Sequence, residues 1–170
     1  MSGRINTFRS AVRDHIKALL PALRSCEIQF GRFDIDALDR FSVRAPAVRV
    51  AVLSGDSSQE AADRKSAVLK CAAFAITEGR DHEESAWTIA EAIFTGLSPA
   101  QMFGLIQLSG PSSVRITPIV TGDLKNRAVS IIAVEWSQTL RHLGEGIFND
   151  EGHVVTELYI NGEEQEPGDG

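Results

Sequence analysis

The chain has 170 residues and a mass of 18.4 kDa, which is the size of one domain. Hydrophobic residues make up 43% of it and charged residues 24%, values that exclude a disordered, collagen-like or disulfide-scaffold chain. No apolar run approaches the roughly 18 residues of a membrane span. No secretory signal is visible at the N-terminus, and the two cysteines indicate buried, reduced thiols of a cytosolic compartment.

The net charge of −6 is concentrated at the C-terminal end. Beyond Arg141 the chain has eight acidic residues and no Lys or Arg, whereas the part up to Arg141 has 15 acidic and 17 basic residues, a net of +2. This distribution predicts a near-neutral body with an acidic tail. It gives no indication of a dedicated nucleic-acid binder, which would carry a basic patch or stripe.

The first predicted element is an amphipathic helix over residues 5–20. Its apolar residues recur at three- and four-residue steps, and Pro21 is expected to end it. Arg9, Arg13 and Lys17 stand four residues apart on another face. Such a basic row is most often simply solvated. The alternative is contact with an acidic partner, for which the acidic tail of a neighbouring copy is a candidate.

The next elements predict a β-hairpin after an irregular stretch over residues 25–46. Alternating valines predict a strand over residues 46–55. Residues 64–77 are ambiguous, because their alanines favour a helix by propensity while their period-two pattern favours a strand that pairs back. We favour the strand. A polar loop between the two strands is a candidate contact region, and its residues are Gly55, Asp56, Ser57, Ser58 and Gln59.

A second helix is predicted from Asp81, the expected N-cap, to a stop at Gly96 and Pro99. Glu84, three residues after Asp81, would complete a capping box. The predicted buried face consists of Ala86, Trp87, Ala90, Ile93, Phe94 and Leu97. On this interpretation Trp87 is a core residue, since a large aromatic at helical spacing usually serves packing.

Residues 114–120 and 128–136 predict a second hairpin around a turn at residues 121–126. Pro118 lacks a backbone N–H, so its strand should lie at a sheet edge or carry a bulge there. The turn is a second candidate contact region, and the residues concerned are Asp123, Lys125 and Arg127.

The C-terminal part predicts a third, smaller hairpin, in which residues 147–148 and 153–160 flank a turn at residues 149–152. Val154, Leu158 and Ile160 are candidates for adding a strand to the sheet of a neighbouring subunit. The chain therefore divides into a single domain (1–143), a hairpin extension (144–160) and an acidic tail (161–170) that is expected to be disordered.

Motifs of catalysis are not found in the sequence. The four histidines lie in different predicted elements, and no phosphate-binding loop, dinucleotide fingerprint or nucleophile elbow occurs. Cys71 beside Lys70 is better interpreted as a small buried hydrophobe than as an activated thiol. Residues 81–84 are better interpreted as a capped helix start than as a metal site. We therefore expect no enzyme, no cofactor and no metal.

These elements predict an α+β fold: a mainly antiparallel or mixed sheet of about four strands, two helices packed on one face, and the C-terminal β-hairpin extension. Such a sheet has exposed edges, which proteins normally cover or use. A ring or stack of identical subunits would use them through heterologous contacts.

In this order of elements the chain resembles the tail terminator, or tail completion, proteins of long-tailed bacteriophages, including the Mu-like group. The resemblance covers about residues 5–140. It comprises the N-terminal helix, the hairpin opening at Pro46-Ala47-Val48-Arg49-Val50-Ala51-Val52, the helix from Ala86 to Leu97, and the final strand Ala133-Val134-Glu135-Trp136-Ser137-Gln138. The extension beyond Arg141 departs from the family, many members of which end soon after the last strand.

The resemblance implies a virion protein without catalytic residues. Such proteins form a ring, commonly of six copies, at the head-proximal end of the tail tube. The ring stops tube polymerisation, contacts the tail tube protein and the head-completion proteins, and lets DNA pass through its lumen without specific binding. Assembly would take place in the host cytoplasm, with no membrane involved. The alternatives are a head–tail connector or head-completion protein and, from a different class, a small cytosolic enzyme with a site around residues 55–59.

Overall fold

The structure, a computed structural model, describes residues 3–40, 43–59, 64–124, 127–144, 147, 158–160 and 163–165. These residues form a five-stranded sheet, three helices and a separate two-stranded hairpin. In chain order the elements are α1 (Arg4–Leu19), β1 (Ser25–Ile28), α2 (Ile35–Arg40), β2 (Ala47–Gln59), β3 (Lys65–Glu78), α3 (His82–Gly96), β4 (Ser112–Leu124), β5 (Arg127–Leu140), β6 (Leu158–Ile160) and β7 (Glu163–Gln165).

The sheet is mixed and has the strand order β1-β2-β3-β5-β4. The two predicted hairpins, β2–β3 and β4–β5, are both antiparallel, and β3 pairs with β5 at the centre. The predicted α+β class is therefore confirmed. The short strand β1 is an addition to the prediction, which had residues 25–46 as irregular. It runs parallel to the start of β2, and the backbone N–H groups of Arg24 and Gln29 donate to Pro46 O and Val50 O at its two ends.

One face of the sheet, which we call the helix face, is covered by α1 and α3. The buried residues of α1 are Phe8, Val12 and Ile16, four apart on the predicted stripe, and the helix ends before Pro21 as expected. Helix α1 packs over β1 and β2, whereas α3 packs over β3, β5 and β4. The two helices therefore lie side by side, with α1 above the β1 edge of the sheet and α3 above the β4 edge.

Helix α3 lies where it was predicted, but two of its details are different. Asp81 occupies the N-cap position without making a side-chain capping hydrogen bond. Trp87 is 43% exposed and Phe94 41% exposed, so the prediction that Trp87 is a core residue was wrong. The helix buries a narrower stripe of Ala86, Ala90, Ile93 and Leu97. The aromatic residues lie next to this stripe, on the flank of the helix.

The opposite face of the sheet, which we call the open face, is covered at one end only. There α2 and the segment before it bury Phe33, Ala37 and Leu38 against Phe74 and Ile131. The Asp34 carboxylate accepts a hydrogen bond from the Ala37 backbone N–H at 2.8 Å and so caps α2. The prediction of two helices on one face is thereby corrected to two helices on the helix face and a third, short helix on the open face.

The hairpin strands are longer than predicted. The residues assigned to a polar loop, Gly55–Gln59, instead continue β2 beyond a bulge after Val52 and pair with β3. Likewise β4 extends to Leu124, so residues 121–124 of the predicted turn belong to the strand, and β5 begins at Arg127. The structure confirms the expectation for Pro118, since β4 is an edge strand with a register shift between Pro118 and Val120.

Near the C-terminus, β6 of the extension pairs with β7 of the tail, with Leu158 opposite Gln165. The predicted turn at residues 149–152 lies outside the described residues. Within the predicted tail, Glu163–Gln165 form strand β7, and the division of the chain at residues 143 and 160 stays a prediction. None of the described helices is long and apolar enough to cross a membrane.

Candidate interaction surfaces

The uncovered end of the open face is polar. Strand register aligns Ser54, Lys70, Ser137 and Ser112 in one row across four strands. Asp56 forms an exposed ion pair with Lys70, with its carboxylate 3.5 Å from the ammonium nitrogen. These short polar side chains explain why the chain leaves this half of the sheet in contact with solvent.

Glu135 is the central charge of this surface, and it is only 8% exposed. Its carboxylate accepts hydrogen bonds from Arg32 at 2.7 Å and from Arg115 at 3.0 Å, and Thr117 approaches it at 3.4 Å. Burial alone would raise the pKa of Glu135. The hydrogen bonds and charges of Arg32 and Arg115 outweigh burial, and the pKa lies below its ordinary value.

A shallow cavity of about 430 Å³ opens beside this cluster. Arg32, Lys70 and Arg115 line it together with serines from β2, β4 and β5. Both arginines reach Glu135 from positions that leave half or more of their side chains exposed. The arrangement can hold a carboxylate or another small anion, because guanidinium groups and hydroxyls are its exposed donors.

Replacement of Glu135 by Gln should lower the free energy of unfolding at pH 7 by about 1.5–3 kcal/mol, the range for hydrogen bonds to charged groups. The folded-state pKa of Glu135 is depressed. The Glu135 carboxylate therefore contributes fully to the free energy of unfolding when the pH is above its pKa in the unfolded chain, near 4.3. The contribution disappears as the pH falls through the lower pKa of the folded protein. Urea unfolding of both proteins at neutral and strongly acidic pH should show the difference at neutral pH and its loss in acid.

Asp56→Asn provides the control, because the Asp56–Lys70 pair is exposed on both sides and such pairs contribute about 0–1 kcal/mol. An equal loss in the two variants, or a difference between Glu135→Gln and the unaltered chain that persists in acid, would contradict the role given to Glu135.

Both thiols lie in surroundings that disfavour the thiolate. Burial raises the pKa of Cys71 to about 12, and its Sγ atom lies 3.7 Å from the carbonyl oxygen of Leu69. Cys26 is also buried, and its pKa is raised to about 11, first by burial. Both cysteines are free. The described residues contain no group of His, Cys, Asp and Glu that could hold a metal ion.

The basic row predicted on α1 lies along the β1 edge of the sheet. Arg9 donates to the Gln29 carbonyl at 3.3 Å, and the thiol of Cys26 in β1 lies 3.6 Å from the Arg13 carbonyl. Arg13 also pairs with Asp14 at 2.8 Å, and Lys17 is exposed. The row is thus placed beside an edge strand, where a second molecule can reach it.

The other predicted contact residues lie at opposite ends of the sheet. Gly55–Gln59 lead to the tip of the β2–β3 hairpin, whereas Asp123, at the end of β4, pairs with Ala128 near the tip of the β4–β5 hairpin. Arg127 forms an ion pair with Glu78 at this second end. The structure therefore does not bring the predicted residues into one site.

Four of the candidates are described in part or not at all. Lys125 and Val154 lie outside the described residues. Leu158 and Ile160 belong to β6, which pairs with β7 and not with the main sheet in the described part of the chain. Their suggested role as an added strand stays a prediction.

Two features escaped the sequence analysis. One is the cluster of Arg32, Arg115 and Glu135, for which a single acid inside the apolar run of β5 was the available signal. The other is the pair of exposed aromatic residues on α3. Sequence periodicity could not separate Trp87 and Phe94 from the buried stripe, because each lies next to it on the helix surface.

No family model matches the chain, and a search of curated proteins finds no match. Among solved structures, the chain is similar to a chain from the virion of a native gene transfer agent particle. The two share 12% identity with a TM-score of 0.47, over 78% of this chain and 93% of the other. A likeness at this level carries no functional conclusion.

Proposed function

We propose that the chain is a structural protein of a virion and that it acts by assembling with copies of itself. The observation that carries the proposal is that the sheet has two unlike edges, each open to a further strand as far as the described residues extend. On one side, the four-residue strand β1 covers the outer side of β2 only as far as Val50. On the other side, β4 pairs with β5 alone in the described part of the chain.

Unlike edges favour head-to-tail association. A strand edge presents unpaired N–H and C=O groups, which a second chain can satisfy. When the two contacting surfaces of a subunit differ, the contact is heterologous, and the assembly closes into a ring if its rotation allows closure. The two flanks of this sheet differ in the direction and length of their edge strands and in the helix above them. A contact between the two flanks would therefore be heterologous.

The specific proposal is a tail terminator. In this role a ring, taken to have six copies, caps the head-proximal end of a phage tail tube, stops tube polymerisation and joins the tail to head-completion proteins. DNA would pass through the lumen without specific binding. The support is the order of helix, hairpin, helix and hairpin, which the fold retains, together with the two open edges.

The surfaces for other virion proteins are assigned by position. The polar end of the open face, with the outer half of β2 from Gly55 to Gln59, is proposed to contact the tube protein or a connector. The turn between Asp123 and Arg127 is proposed as the contact surface at the opposite end of the subunit. The extension over residues 147–160 is proposed to add a strand to a neighbouring sheet by β-augmentation.

The proposal is tested in cells that produce particles containing the chain. Gold-labelled antibody against it should mark the junction between head and tail, and deletion of its gene should produce tails of uncontrolled length. A head–tail connector, the alternative, would instead leave tails of normal length without attached heads. Particles with normal, attached tails in the deletion strain would refute both roles.

A further inference from the structure

The flank of α3 that faces away from α1 carries a row of charged and aromatic side chains. Gly96 marks the inner side of α3, because a Cβ there would lie 2.9 Å from Leu19 and 3.5 Å from His15 of α1. Trp87 precedes Gly96 by nine residues, about two and a half turns, and so points to the opposite side of the helix. With Glu83 and Glu91 it forms a stripe at four-residue spacing, beside Phe94.

This row, which we call the α3 flank (Glu83, Trp87, Glu91 and Phe94), lies above the β4 edge of the sheet. All four residues are exposed. Their surroundings are mainly acidic. A shallow depression beside Trp87 is lined by three acidic residues and by Arg80 and His82; the acidic residues are Asp81, Glu83 and Glu84. Two large aromatic side chains among carboxylates on a helix surface favour a partner that carries cations on apolar stems.

A matching row lies on the other side of the molecule. Arg9, Arg13 and Lys17, which we call the α1 row, also stand four residues apart. Both rows extend over about 12 Å, since eight residues at 1.5 Å separate their ends. The positions correspond in chemistry as well as in spacing, because two carboxylates flank an aromatic ring in one row and two cations flank a guanidinium in the other.

We infer that the α3 flank of one copy binds the α1 row of the next copy. Glu83 and Glu91 pair with the outer cations, and the indole of Trp87 receives the Arg13 guanidinium by a cation–π contact. To make this contact Arg13 gives up its ion pair with Asp14. The loss costs little free energy, because the Asp14 side chain is 63% exposed and such exposed ion pairs are weak. The inference rests on the proposed function, for this contact joins the two unlike flanks that a ring brings together.

Charge reversal tests the contact, using the full chain throughout. Glu83→Lys with Glu91→Lys makes both rows basic, and Arg9→Glu with Lys17→Glu makes both rows predominantly acidic. Each double variant should repel copies of itself and require about tenfold or more protein to assemble, since like charges across an interface are strongly unfavourable. Light scattering should then record a mass near the 18.4 kDa of one chain, while the unaltered chain records a multiple of it.

Mixing the two variants in equal amounts gives the decisive result. Each α3 flank then meets an α1 row of opposite charge, so alternating assemblies of the original mass should return. Asp36→Lys with Asp56→Lys is the charge-matched control. Asp36 lies in α2 and Asp56 at the polar end of the open face, so neither belongs to the α3 flank or to the α1 row. This control should assemble like the unaltered chain. Circular dichroism establishes that every variant is folded.

The inference is overturned if the unaltered chain stays monomeric at all concentrations, if both charge-reversed variants assemble normally, or if folded variants fail to recover assembly on mixing. Removal of the acidic tail, residues 161–170, keeps the strand proposed over residues 147–160 and should leave assembly intact. If removal abolishes assembly while the charge-reversed variants assemble, the acidic tail is the partner of the α1 row and the inference is wrong.

The two proposals can fail separately. Normal assembly of the charge-reversed variants, together with gold labelling at the head–tail junction, would leave the virion role standing and remove this contact. Recovery on mixing, without labelling at that junction, would retain the contact and remove the tail-terminator role.

Discussion

Phe74→Ala should lower the free energy of unfolding by about 3–5 kcal/mol, the usual loss for a phenylalanine removed from a packed core. Phe74 is fully buried on the open face of β3. Its ring lies 6.1 Å from that of Phe33, which precedes α2. Truncation leaves a cavity beneath the short helix, and α2 has too few residues to be stable without this contact. Thermal unfolding should shift downward by about 10 °C.

The matched control is Phe30→Ala. Phe30 is 94% exposed, so the same chemical change should alter stability by about 0.5 kcal/mol or less. Chemical unfolding of both variants, with fluorescence of the two tryptophans as the signal, measures the contrast. Equal stability of the two variants would show that α2 does not cover the open face as the structure has it.

Gly110→Ala is expected to have the second-largest effect, about 3 kcal/mol, at the upper end of the range for overpacking. A Cβ at this position would overlap the Pro99 carbonyl oxygen, and neither backbone segment can avoid the other by rotating a side chain. The Gln138 side chain joins these same segments, donating to Gln101 O at 3.1 Å and to Ser109 O at 2.9 Å. Separating them would leave the buried amide without acceptors.

Gly55→Ala is the comparison for this position. A Cβ at Gly55 would meet Leu69 Cδ2 at 3.1 Å, and a leucine side chain can move by the small distance required. Alanine also costs less backbone entropy in a strand. Thermal melts should therefore place Gly55→Ala within a few degrees of the unaltered chain. If the Gly110→Ala protein had the same melting temperature as the Gly55→Ala protein, residues 99 and 110 would not be in contact.

Much of the fold could be predicted because the pattern of apolar residues reports directly on burial. Helix α1 and the pairs β2–β3 and β4–β5 all followed from periodicity. The missing parts depend on contacts between distant segments. Strand β1 has only four residues and is held by its pairing with β2, while α2 has six and is held by Phe74. Neither has enough local signal to be recognised alone.

The interaction surfaces were less predictable for a related reason. Sequence spacing identified the α1 row correctly as one face of a helix. It could not show that Arg32 and Arg115, 83 positions apart, converge on Glu135. Nor could it show that Trp87 is exposed, because Trp87 lies next to the buried stripe and the width of that stripe depends on what packs against the helix. Polar character alone suggested a loop at Gly55–Gln59, where pairing with β3 makes a strand instead.

The two hairpins turn at opposite ends of the same sheet: β2–β3 beyond Gln59 and β4–β5 beyond Leu124. A band of subunits joined through their flanks would therefore have two chemically distinct rims. One rim repeats the serine-rich polar surface, and the other repeats the Arg127–Glu78 pair. Such a band is directional, so it can offer a different docking platform to the component above it and to the component below.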